Sequence, residues 1–340
     1  DAFNFLGQYN FNLDNKIIYG IDSEFDASRY PKDWSGGDMR EHDEGIISQY
    51  FDFQLRPFEK LYSTFGLRSD EHTTVGRKTS GRVTAAYLLD GNSKIRSSFG
   101  AGVRFPAMYD YKYGSSTLVD KGSALEELQS ERGLSFDFGY DTFLDNLDLG
   151  LNVTYFKTEQ KNPLFSNART DWVVRNGTGR NTSEGIEFNA NWKPKDAKFL
   201  LNFGYTFTDS YDANTCDPDE LGSYEDNECR LTGSKVAKAK VRVPRNAVET
   251  SIDYLIRKNL KSTLRGKYIG ETRDFGNTND SWTDQILSDY FVFDFINSYN
   301  LFDNYKIQLG INNILDEKYQ QAHEYSTMGR TFNFSIRRVY

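Results

Sequence analysis

Two carboxylates lie where a partner would be needed. Glu131 shares its side of the chain with Gly133, Ser135 and Asp137, while Arg132, Leu134, Phe136 and Phe138 fall on the opposite side. Glu187 shares a side with Gly185, Asn189 and Asn191, opposite Ile186, Phe188, Ala190 and Trp192. Successive side chains of an extended chain point to opposite faces. Each glutamate therefore sits on a small, hydrated face backed by an apolar one. In water such a group is simply solvated. Covered by protein it needs a cation, because an unpaired buried charge costs about 3–5 kcal/mol. Lys94, Arg96 and Arg104 make a basic strip on the side of Ser98, Gly100 and Gly102.

Other residues suit binding rather than reaction. Tyr109, Tyr111, Tyr113, Trp172, Arg273 and Trp282 fall in loop segments and offer aromatic faces and fixed donors to a bulky ligand. The same residues would also serve as interfacial or loop packing. Cys216 and Cys229 bracket Asp217, Asp219, Glu220, Glu225, Asp226 and Glu228. An oxidising exterior permits a disulfide there. The acids offer oxygens to Ca2+, although their spacing matches no EF-hand loop and a solvated acidic loop is the simpler reading. No other cofactor is expected. Catalysis has little to stand on: Gly-x-Ser-x-Gly, His-Glu-x-x-His and a phosphate loop are all missing, and His42, His72 and His323 fall in different loops.

The elements that position these residues follow a period of two. Leu147, Leu149, Leu151, Val153 and Tyr155 alternate with Asp148, Gly150, Asn152 and Thr154. Phe199–Phe207 and Tyr305–Ile311 repeat the pattern. Such segments present one apolar and one wet face. About fifteen strands are expected, at 2–12, 16–26, 44–55, 59–70, 79–89, 94–104, 130–140, 147–166, 172–193, 198–209, 236–257, 260–270, 287–298, 305–313 and 331–340. Short turns alternate with long loops at 27–43, 71–78, 105–129, 210–235, 271–286 and 314–330.

Composition agrees. Hydrophobic residues are 38% of the 340, yet 22 Tyr and 26 Phe lift the aromatics to 15%. A polar chain rich in Tyr and Phe suits a transmembrane β-barrel with aromatic girdles. A soluble half-buried sheet also alternates, but this pattern runs with almost no helical interruption. The fold class expected is therefore all-β, an antiparallel transmembrane barrel in outer-membrane lipid. A net charge of −8 argues against nucleic acid as a partner. The first residues, Asp1-Ala2-Phe3-Asn4-Phe5, already read as mid-strand, so residues 1–340 are expected to be part of a longer protein.

The last ten residues, Thr331 to Tyr340, alternate and end on an aromatic, with Phe332, Phe334, Ile336 and Tyr340 on one face. Before them come Gly310-Ile-Asn-Asn-Ile-Leu-Asp-Glu-Lys-Tyr319 and Met328-Gly-Arg330. Together with Gly66-Leu-Arg-Ser-Asp-Glu-His72, Phe99-Gly-Ala-Gly-Val-Arg-Phe-Pro106, Arg175-Asn176 and Gly185-Ile-Glu187, these segments resemble the TonB-dependent receptor family, and within it the cobalamin-transporter-like group. The resemblance implies the C-terminal part of a barrel of about 22 strands. It also implies an N-terminal plug and TonB as partners outside this chain, location in the Gram-negative outer membrane, and uptake of a small-molecule or metal-chelate ligand such as cobalamin or a ferric siderophore. Glu131 and Glu187 would then pair with plug arginines, with Arg96 and Arg104 as further plug contacts. A passive porin-like channel of roughly 14–16 strands is the rival reading.

Overall fold

A computed structural model describes residues 1–31, 39–107, 110, 128–166, 174–176, 180–212, 238–278, 281–302 and 304–338. The alternating segments form fifteen wall strands: β1 (Ala2–Asn10), β2 (Lys16–Pro31), β3 (Met39–Phe58), β4 (Leu61–His72), β5 (Gly76–Leu88), β6 (Ser93–Arg104), β7 (Glu131–Leu144), β8 (Leu149–Lys161), β9 (Arg180–Trp192), β10 (Phe199–Asp212), β11 (Asn246–Arg257), β12 (Leu260–Ile269), β13 (Tyr290–Leu301), β14 (Tyr305–Asn312) and β15 (Thr331–Arg338). Each pairs antiparallel with the next in the chain. Lys238–Ala239 adds a two-residue strand beside the end of β10. β1 bonds to β2 alone and β15 to β14 alone, so among the described residues the first and last strands do not pair with each other.

The sheet is a single layer. Its apolar face carries Phe99, Phe136, Phe138, Val153, Tyr155 and Ile186, which stay 38–53% exposed. Among the described residues the buried hydrophobics are only Leu128, Leu287 and Tyr290. A soluble sheet would cover such a belt with a second layer, since exposed apolar patches beyond a few hundred Å² are rare on soluble monomers. The polar face is instead the better-buried one: Ser48, Asp70, Glu131 and Thr154 are at most 5% exposed. The molecule thus has its apolar side outward and its polar contacts inward, the arrangement a hydrocarbon surround favours.

Five expectations change at the long-loop end. The β2–β3 ladder continues past residue 26 to Pro31 opposite Met39, so 27–31 and 39–43 are strand rather than loop. The segment 147–166 is broken after Lys161 by Asn162, at φ 54°, and Pro163; Leu164–Ser166 then pairs with Val174–Asn176 in a separate hairpin. The segment 236–257 is interrupted at Arg242, at φ 60°, and at Pro244, which has no N–H to give a ladder. The loop 271–286 is itself a hairpin, Thr272–Thr278 against Ser281–Leu287. His42 and His72, expected in loops, lie on β3 and β4.

Candidate functional site

Alternation turns Gly66, Arg68, Asp70 and His72 of β4 to the polar face, where the register sets Asp70 opposite Ser48 and Ser48 opposite Asp22. Arg68 fills the space between them. Its Nε donates to Asp70 Oδ1 at 2.8 Å, Nη2 to Ser48 Oγ at 2.7 Å and Nη1 to Asp22 Oδ2 at 3.3 Å. Ser48 Oγ donates onward to Asp70 Oδ1 at 2.6 Å. The guanidinium also lies over the Tyr50 ring, 5.5 Å from its centre. A planar guanidinium spreads its donors over three nitrogens in fixed directions and so reaches three separated acceptors, whereas a lysine must offer its donors from a single atom. The same motif ends on His72, whose Nδ1 accepts the Thr74 and Val75 N–H groups, each at 3.2 Å. The imidazole stacks on Phe105 at 4.6 Å. Its Nε2 comes 2.5 Å from Glu44 Oε1, at an angle poor for a hydrogen bond.

The four wall residues singled out from the sequence all project from the polar face, but they divide. Glu131 is 4% exposed. Its Oε2 accepts from Arg104 Nη1 at 2.9 Å and its Oε1 from the Leu164 N–H at 2.6 Å. Arg104 also reaches Asp110 at 3.6 Å. Arg96 donates to Thr154 Oγ1 at 2.7 Å and to Asp141 at 3.2 Å, with Asp137 3.6 Å away. The wall itself therefore already engages Glu131, Arg104 and Arg96. Glu187 differs. It is exposed, its lateral neighbours in register are Thr154 and Thr206, and no ion pair or hydrogen bond holds its carboxylate among the described residues.

The long-loop end has a second polar centre that the sequence reading missed. Asp274 is fully buried. Arg242 Nε donates to both its oxygens at 3.0 Å, and the His323 N–H donates to Oδ2 at 2.7 Å. The Arg242 N–H reaches Arg273 O at 2.8 Å, and Arg273 Nη1 reaches Ala239 O at 3.0 Å. Three connections, those before β11, between β12 and β13, and between β14 and β15, are stapled at one point. The C-terminal motif builds the third of them. Asn313, at φ 51°, donates its N–H to Asp294 Oδ1 at 2.8 Å and closes a side-chain ring onto the backbone of Glu317 at 2.8 and 2.9 Å. Asp316 Oδ1 accepts the Arg330 N–H at 2.7 Å, and Tyr319 stacks on Tyr290 at 4.1 Å. Burial raises the Tyr319 hydroxyl above its ordinary pKa. Asn176 ties the Leu164–Ser166 hairpin to Gln129 in the same way, accepting the Gln129 N–H at 2.6 Å and donating to Gln129 O at 2.8 Å.

Of the ligand candidates, Arg273 is described and holds loop backbone. Trp282 lies on the Thr272–Leu287 hairpin with only its backbone described, while Tyr109, Tyr111, Tyr113 and Trp172 lie outside the described residues. So do Cys216, Cys229 and the acids between them. The Arg68 cluster carried a readable signal, since its motif alternates on one face, but its partners emerge only once neighbouring strands are set in register.

Comparison with known proteins agrees with this geometry. The sequence matches the family described as TonB dependent receptor-like, beta-barrel, over residues 2–314. It is 21% identical to the vitamin B12 transporter BtuB of Vibrio cholerae over 343 residues, covering 99% of this chain and 46% of that protein. The ferric enterobactin receptor PfeA of Pseudomonas aeruginosa superposes with a TM-score of 0.73 at 16% identity, covering 99% of this chain and 54% of that one. The FrpB iron transporter of Neisseria meningitidis gives 0.75 at 15%, covering 98% and 54%. This chain thus spans about half the length of the proteins it resembles. The matched family, the meander of fifteen strands and the outward apolar belt converge: this chain belongs to the TonB-dependent receptor family and supplies β-barrel wall.

Proposed function

We propose that the protein is an outer-membrane transporter of Gram-negative bacteria that takes up a scarce, bulky nutrient, a cobalamin or ferric-siderophore-like compound, under the pull of TonB. The observation that carries this reading is the inverted sheet: apolar side chains face out and charged networks line the other face. A wall of that kind encloses a polar path through lipid. The relatives named for vitamin B12 and ferric enterobactin supply the ligand class.

In this reading the inner wall meets a plug supplied by the rest of the protein. Glu187 is the wall carboxylate that takes a plug arginine, because its charge is unanswered among the described residues. Glu131, Arg104 and Arg96 meet the plug as paired groups, through hydrogen bonds rather than lone charges. The family is one of receptors and transporters, and no catalytic role is proposed. The test is growth of a deletion strain under iron or cobalamin limitation, each nutrient resupplied separately. Rescue by plasmid-borne full-length protein for one nutrient is expected. Uptake of every nutrient at wild-type rates in the deletion strain overturns the proposal.

A further inference from the structure

Near the long-loop end the apolar face carries an unbalanced patch of charge. Arg132 on β7, Lys161 on β8 and Arg180 on β9 stand directly opposite one another in the ladder. Alternation puts all three on the side of Leu134, Phe136, Tyr155 and Ile186. Like charges directly opposite on neighbouring strands destabilise a sheet, and here the repulsion occurs twice in succession. Only Arg180 has an answer within the fold, at 3.4 Å from Glu159 Oε2. The next charges along the same face cancel, with Lys157 at 3.0 Å from Glu184. Arg132 and Lys161 have no ion pair or hydrogen bond among the described residues. Four cations thus face two carboxylates, whereas at the same end of the wall Arg77 and Glu71 balance each other 2.7 Å apart.

The depth of the patch names its partner. Along β8 the apolar run ends at Tyr155, and Lys161 follows six residues later. At about 3.3 Å per residue and a tilt of about 45°, the patch lies about 14 Å above Tyr155 but only about 5 Å above Leu134, the last apolar residue on neighbouring β7. Lysine and arginine side chains reaching back along apolar surface bring their charge down toward the interface. The patch lies at the long-loop end, next to the β8–β9 connection. We infer that Arg132, Lys161 and Arg180 bind the anionic phosphate of a lipid headgroup in the leaflet around the long-loop end of the wall. Guanidinium forks match phosphate oxygens two at a time, and the lysine adds a point charge between them. A lipid-anchored phosphate fits better than a free one, because its acyl chains can lie on Leu134 and Phe136 directly below. This inference rests on the proposed membrane setting of the apolar face.

The test uses full-length protein reconstituted into zwitterionic phosphatidylcholine bilayers, with and without a bis-phosphorylated glucosamine lipid. Native mass spectrometry counts the phosphorylated lipid retained by wild type, by K161Q and by the triple variant R132Q/K161Q/R180Q. These are surface positions, so folding should survive, and K161Q alone keeps the test decisive if the triple variant does not fold. Retention about fivefold lower in K161Q, and lower again in the triple variant, is expected from the usual worth of one basic side chain at a membrane surface. Equal retention by wild type and K161Q overturns the inference. So does displacement of the lipid by inorganic phosphate at matched concentration, which would make the patch a site for a free anion. Failure of wild type to insert into either bilayer overturns the membrane reading and this inference together, whereas insertion without headgroup preference overturns this inference alone.

Discussion

Arg242 Nε lies 3.0 Å from each carboxylate oxygen of Asp274, and Asp274 is sealed from solvent. With the His323 N–H on the same carboxylate, two exchangeable loops and a hairpin share one anchor. Arg242→Ala leaves a buried carboxylate short of its cation, so opening of 238–245, 272–274 and 320–326 should become easier by about 2 kcal/mol, or about thirty-fold in amide exchange. Hydrogen–deuterium exchange should show the three segments speeding up together. Acceleration of one segment alone would mean that they are not mechanically joined.

Removing Arg68 should be among the costliest changes in the wall. Asp70 is 5% exposed and shares Arg68 with Ser48 and Asp22. Arg68→Ala is expected to cost about 3 kcal/mol, the usual penalty for stripping one partner from a buried pair. Arg68→Lys should recover only part of it, because an ammonium cannot serve three acceptors in fixed directions. The temperature at which the folded barrel loses its fast gel migration would report both.

Glu131 and Glu187 should respond oppositely to the same substitution. Glu131→Gln weakens the Arg104 bond and the grip on the Leu164 amide, and is expected to cost about 1.5–3 kcal/mol of wall stability. Glu187→Gln touches no bond within the described wall and should leave its melting unchanged, while releasing the plug at lower urea. If both variants melt alike and hold the plug alike, the proposed role of Glu187 is wrong.

Two glycines of the polar face should separate in the same way. A Cβ on Gly185 would meet Phe207 O at 2.0 Å and the Phe156 ring at 2.8 Å, whereas one on Gly102 meets nothing within 4 Å. Gly185→Ala should therefore impair assembly of β8, β9 and β10, and Gly102→Ala should fold normally. Yield of heat-modifiable protein in the membrane fraction distinguishes them. The glycine of the Gly185-Ile-Glu187 motif thus has a packing reason: it makes room for Phe156 of the neighbouring strand β8.

How much was legible depended on where lipid meets the chain. Leu147–Tyr155 and Phe199–Phe207 showed their alternation because one of their faces is apolar. The ladder from Ala27↔Asp43 to Pro31↔Met39 showed none, because its sequence is polar on both faces. The Thr272–Leu287 hairpin was hidden because its few apolar residues, Phe275, Trp282, Ile286 and Leu287, do not alternate with polar ones. The orientation of Glu131 was readable from alternation, but its partner was not: Arg104 lies 27 residues away and reaches it only because β6 and β7 are set in register. The Arg242–Asp274 pair joins residues 32 apart through non-repeating loop backbone, for which periodicity has no signal.

Each strand of the wall takes its hydrogen bonds from the strand laid down just before it. Growth can therefore run along a single advancing margin, with no finished bond reopened, and each new strand crosses only one connection, a short turn or a single long loop, to find its partner. Such a chain needs no distant segment to arrive before the next step can begin, which suits assembly at a membrane where only a few strands at a time are free to move.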